Sequence, residues 1–210
     1  MVAGDPAHPD PAQVDLEAAQ RLTFFSDAIV AIAITLLALD LPAPEGGTAS
    51  AVLRSLDDHQ YDYLAFLIGF LVVAAHWTGH HQVFRWLVAV RPRLVTLSLA
   101  WLLLIVLTPF LTRVLTEGDL DVVRFGLFAV AQALLQVVFA AMVSLAARDG
   151  LFAPATPASV TDRPWHQAAG GAIGFLVSVP LFPLIGRWAF VLWAVVPPVY
   201  GRLVLRRSRG

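Results

Sequence analysis

The chain has 210 residues, 58% of them hydrophobic and only 14% charged, with a mean hydropathy of +0.73 and a formal net charge of −1. A soluble domain carries about 45–50% apolar and about 25% charged residues, so this composition excludes an ordinary soluble fold. The absence of cysteine excludes disulfides, thiol catalysis and Cys-ligated metals, and the near-neutral balance leaves no basic face for nucleic acid.

Residues 1–20 are polar and acidic, with Asp5, Asp10, Asp15 and Glu17, and are expected to be a disordered cytoplasmic tail. They lack the positive n-region of a signal peptide. Six apolar blocks follow: Leu22–Leu41, bounded by Asp40; Tyr63–Leu87, with a polar cluster from His76 to Gln82; Leu94–Leu115; Val122–Ala147; His166–Ile185; and Arg187–Leu205. A bilayer core of about 30 Å needs about 20 apolar residues of helix, and hydrocarbon offers backbone groups no partners. The expected fold is therefore an all-α integral membrane protein with six transmembrane helices over residues 21–206, ending in a short basic tail, 207–210. Every cation is an arginine, and ten of the 14 fall in segments on the N-terminal side: Arg21, Arg85, Arg91, Arg93, Arg148, Arg163, Arg202, Arg206, Arg207 and Arg209. The positive-inside rule puts both termini in the cytoplasm. Gly170 and Gly174 form a small-xxx-small pair that permits close helix contact.

Asp27 lies about four residues inside the first block, where a carboxylate is costly and faces protein or water. It is either a structural charge paired between helices or a group on an ion or proton path. Arg21, six residues earlier, lies about 120° around the helix, so an i,i+4 bridge within the helix is excluded. Its partner must come from another helix, and His76, Trp77, His80 and His81 of the second block supply the donors. The His76/His80 pair lacks the adjacent Glu of a zinc protease and an obvious third ligand, and no nucleophile elbow, P-loop or dinucleotide fingerprint occurs. No cofactor and no enzymatic activity are expected. Ile32, Leu36 and Leu39 recur on one stripe with Thr35 beside them; ordinary packing accounts for such a stripe, and periodicity alone does not show a pore.

Arg21-Leu-Thr-Phe-Phe25-Ser26-Asp27 resembles the R-x-x-x-F-S-D signature that opens the first helix of the TMEM175 family of potassium-permeable channels. Ala31–Leu41, Trp77-x-x-His80-His81-x-x-Phe84 and Thr108-Pro109-Phe110 are similar to the bacterial members. The resemblance is specific over the first three helices; beyond Leu115 it rests on helix count and hydropathy. Ser98 departs from it, standing where family members usually carry Asn. The resemblance implies a homotetramer in the cell membrane, its pore lined by the first helix. It implies a hydrophobic constriction at Ile32, with Leu36 and Leu39 as further rings and a Thr35 hydroxyl ring linked to cation preference. It also implies an interhelical network of Arg21, Phe25, Ser26, Asp27, Trp77 and His80. The partners implied are potassium and similar monovalent cations and the lipid bilayer. The competing readings are a proton-leak pathway or secondary transporter using Asp27 and the second-helix histidines, and a non-conducting membrane scaffold or enzyme subunit.

Overall fold

A computed structural model describes residues 10–39, 41–161 and 164–207. Met1–Pro9 of the expected tail, the boundary residue Asp40, Asp162, Arg163 and residues 208–210 lie outside the described residues.

The described residues form eight α-helices: α1 (Pro11–Leu39), α2 (Ala49–Asp58), α3 (Gln60–Phe84), α4 (Pro92–Thr116), α5 (Val122–Arg148), α6 (Ala158–Thr161), α7 (Pro164–Ile185) and α8 (Val191–Arg207), with a 3-10 turn over Gly186–Phe190 between the last two. Residues 11–20 correct the expectation of a disordered tail: they are the first turns of α1. Asp10 accepts from the Ala12 N–H at the helix start, Ala19 is buried, and Asp15 lies 3.5 Å from Arg91 before α4. These contacts give the polar stretch a surface to fold against. Helix α2, which hydropathy did not mark, is capped by Thr48, whose hydroxyl accepts from the Ala51 N–H at 3.3 Å. At α5 the Asp121 carboxylate takes two free amides of the first turn, from Val123 at 2.7 Å and Arg124 at 3.0 Å, as an N-cap does.

The long helices run alternately up and down. Asp27 meets Trp77 while Leu37 lies beside Gly69, so α1 and α3 are antiparallel. The Leu87–Phe152 bridge brings the ends of α3 and α5 together. Among the described residues, five helical stretches are long and apolar enough to cross a bilayer: α1, α3, α4, α5 and Ala168–Arg202. The last doubles back on itself. Gly186 takes φ +54°, a left-handed value that glycine adopts without penalty, and α7 then packs against α8. A Cβ on Gly174 would stand 3.2 Å from the Leu192 carbonyl oxygen, and one on Gly170 would stand 3.1 Å from the Tyr200 ring. The two glycines therefore admit the partner helix, as the small-residue spacing suggested.

Two cores result. One joins α1, α3 and α4 to one face of α5, around Leu94, Trp101, Ile105 and Met142. The other joins the N-terminal half of α5 to α7, the 3-10 turn and α8, with Leu115 of α4 in it and Ile68 and Val72 of α3 packed against it. At its centre Trp193 packs its ring 4.8–5.2 Å from those of Phe125, Phe128, Phe175 and Phe190.

Candidate pore-lining helix and its interhelical network

Helix α1 has two unlike faces. Ala19, Leu22, Ser26, Val30, Ala33 and Leu37 are buried against the rest of the chain. Ile32, Thr35, Leu36 and Leu39 fall on the other side, at i, i+3, i+4 and i+7, a single helical face. Ile32 is 57% exposed and Leu39 77% exposed, whereas Ile34 packs against the first core. The Thr35 hydroxyl donates to the Ile32 carbonyl at 2.8 Å, which leaves its oxygen lone pairs free to accept.

What fixes the rotation of this helix is a contact across to α3. The Trp77 indole donates to an Asp27 carboxylate oxygen at 2.9 Å, and His81 Nδ1 lies 4.0 Å from the other oxygen. The Trp77 and His81 rings stack at 5.2 Å, as their i,i+4 spacing allows. Ser26, one residue earlier on the buried face, closes its hydroxyl onto the Leu22 carbonyl at 2.8 Å. A third junction sits further along: a Cβ on Gly69 would be 2.8 Å from the Thr112 hydroxyl and 3.2 Å from Leu37, so α1, α3 and α4 approach closely there.

The other residues expected in this network are placed elsewhere. Arg21 is exposed and makes no hydrogen bond or ion pair among the described residues. Phe25 is half exposed on the outer side of α1. His80 is buried between Phe84 at 3.9 Å and Trp101 at 4.7 Å, with neither ring nitrogen bonded among the described residues. His76 turns toward α5, where its Nε2 meets the Gln132 side-chain oxygen at 3.1 Å. The Gln132 amide in turn reaches the Thr108 hydroxyl at 3.4 Å. The three histidines of α3 thus do not line up behind Asp27; only His81 stands beside it. Ser98, at the position of the usual Asn, has no partner for its hydroxyl among the described residues.

The His76–Gln132–Thr108 chain, which joins three helices, was missed from the sequence. Its signal was present: a glutamine in the middle of an apolar block is expensive in a bilayer and marks a polar contact between helices.

Residues 21–109 match the family described as endosomal/lysosomal potassium channel TMEM175. A potassium channel of Streptomyces collinus is 29% identical over 190 residues, covering 88% of this chain and 89% of its own. One of Chamaesiphon minutus is 33% identical over 99 residues, 46% of this chain and 49% of its own. The crystal structure of a lysosomal potassium-selective channel TMEM175 homolog from Chamaesiphon minutus superposes with a TM-score of 0.66 at 23% identity, covering 90% of this chain and 98% of that one. The helical bundle is therefore shared over nearly its whole length. The signature at the start of α1, its bond to Trp77 and this common fold agree: over residues 21–109 the chain is similar to the TMEM175 family, and it shares the fold of a TMEM175 homolog.

Proposed function

We propose that the chain is a potassium channel whose first helix lines the conducting path. The observation that carries this reading is the face of α1 that the chain leaves uncovered. Ile32, Thr35, Leu36 and Leu39 all lie on it, while the opposite face is buried and Asp27 is held by Trp77. Repeated around the axis of a homotetramer, this face gives an apolar constriction at Ile32, extended by Leu36 and Leu39, with a ring of Thr35 hydroxyls between. An apolar ring offers a permeant ion nothing in place of its water and gates by dewetting. Potassium and similar monovalent cations are the permeant species.

Six spans are proposed, with α7 and α8 each counted as one crossing. Arg21, Arg85, Arg91, Arg93, Arg148, Arg202, Arg206 and Arg207 stand toward the bundle end that holds the start of α1, and Arg54, Arg113, Arg124 and Arg187 toward the other. That asymmetry supports a cell-membrane protein with cytoplasmic termini.

Potassium flux from liposomes containing the purified oligomer tests the reading. Ile32→Asn hydrates the constriction and raises leak per channel. Ile34→Asn, on a side chain packed in the core, lowers the yield of folded protein without raising leak. Thr35→Ala changes the potassium-to-sodium ratio more than the total current. Equal leak from the two asparagine variants, or no flux from the parent protein, overturns the assignment of this face to a pore.

A further inference from the structure

A cavity of about 520 Å3 lies over α5, between α3 and the α7–α8 hairpin, lined by Val72, His76, Gly79, Gln136, Phe139 and Trp193 among others. Ligand sites fall in the range of about 300–1,000 Å3, with mostly apolar walls and a few placed polar groups. Two polar side chains stand in this one. Gln136 makes no hydrogen bond among the described residues, and it lies against the bare backbone of Gly171, where an added Cβ would come within 2.7 Å of its amide nitrogen. His76 is 8% exposed, and its Nδ1 has no hydrogen-bond partner among the described residues.

The hydrogen-bond chain behind His76 fixes what that nitrogen offers. The Thr108 hydroxyl donates to the Leu104 carbonyl at 3.0 Å, so its oxygen accepts from the Gln132 amide. The Gln132 oxygen therefore faces His76, whose Nε2 must donate to it. With the proton on Nε2, Nδ1 is an acceptor. Two residues of the lining thus keep hydrogen-bonding groups unused, an acceptor on His76 and both donor and acceptor on Gln136. A hydroxyl, which gives one hydrogen bond and takes another, matches that pair.

We propose that this cavity binds a single-chain alcohol dissolved in the bilayer, its hydroxyl between His76 and Gln136 and its chain along Val72, Phe139 and Trp193. Among the described residues α3 makes no extended packing with α7 or α8, so the ligand enters between those helices without unfolding either. The site is independent of whether α1 conducts ions.

The test is photolabelling of the purified full chain in phosphatidylcholine nanodiscs, with a diazirine-bearing dodecanol and mapping by mass spectrometry. The expected labels fall on cavity residues of α3, α5 and α8; dodecanol competes them away and dodecane does not. Gly79→Leu fills the cavity, since a Cβ there meets only a Phe139 ring carbon at 4.0 Å, and abolishes these labels. Gln136→Leu keeps the volume and weakens competition by dodecanol about five-fold, the size of one net hydrogen bond. Equal competition by dodecane overturns the proposal in the parent protein alone, because the polar pair then recognises nothing. Labels spread over all lipid-facing helices, or cavity residues shielded by a neighbouring copy, overturn it as well.

Discussion

The two cores of this molecule are built from different materials. Around α1, α3 and α4 the helices are joined by polar contacts at fixed points: Trp77 to Asp27, and Thr108 of α4 through Gln132 of α5 to His76 of α3. Around α7 and α8 the contacts are ring on ring and backbone on glycine, with Trp193 at the centre and Gly170 and Gly174 at the seam. Only one side-chain pair bonds across that second core in the described residues, the Trp193 indole to the Ser178 hydroxyl at 2.8 Å. Polar contacts in a membrane are directional and set rotation and register, whereas close packing sets distance. The first half is thus the part whose helices must hold a defined rotation, and the second half is the mass that it leans on. The family match covers most of α1, all of α3 and the greater part of α4, and ends at residue 109.

Substitutions in the two halves should therefore separate stability from flux. The largest loss of stability is expected from Trp193→Ala, which empties the centre of the aromatic nest and costs about 3–5 kcal/mol. Thermal unfolding in detergent measures it; flux per folded channel stays at the parent value. Trp77→Phe keeps the ring and removes the hydrogen bond to Asp27, a bond to a charged group that contributes about 1.5–3 kcal/mol. Its midpoint falls less than that of Trp193→Ala, yet flux changes because α1 is free to rotate. A Trp77→Phe protein with parental flux would dissolve the contrast between the halves. The smallest effect within one chain is expected from Arg21→Ala. With no partner among the described residues, its contribution to unfolding stays within about 0.5 kcal/mol. Size-exclusion profiles add the finer distinction: if the oligomer dissociates in Arg21→Ala while unfolding is unmoved, the arginine acts between copies rather than within one.

The long apolar blocks were legible because hydropathy is a property of many residues at once. The second block, read as Tyr63–Leu87, is α3 at Gln60–Phe84, and the third, read as Leu94–Leu115, is α4 at Pro92–Thr116. Short or polar helices were not legible. Helix α2 has ten residues and none is buried, and the first turns of α1 are held by Asp10, Ala19 and the Asp15–Arg91 pair rather than by an apolar run. Of the network, the pairing of Asp27 with Trp77 could be foreseen, because an intramembrane carboxylate demands a donor from another helix. The absence of Arg21 from it within one chain could not, since Arg21 lies well inside α1 and its exposure depends on how far the neighbouring helices reach along it. The choice among the three histidines was equally hidden: His76, His80 and His81 differ in sequence by position alone, and which one meets Gln132, Trp101 or Asp27 is decided by the rotation of α3.

The unbroken run of α1 from Pro11 to Leu39 has a mechanical consequence. Its 29 residues make a rod of about 43 Å at about 1.5 Å per residue, longer than the hydrocarbon core of about 30 Å. The overhang carries Asp15, clasped to Arg91, and no described residue between Gln13 and Ile32 departs from the helix. A torque or pull applied to the overhang has no hinge in which to dissipate before it reaches the exposed stripe. It is resisted at two clamps, Arg91 near the start of the helix and Trp77 further along, so the helix is a shaft held in two bearings.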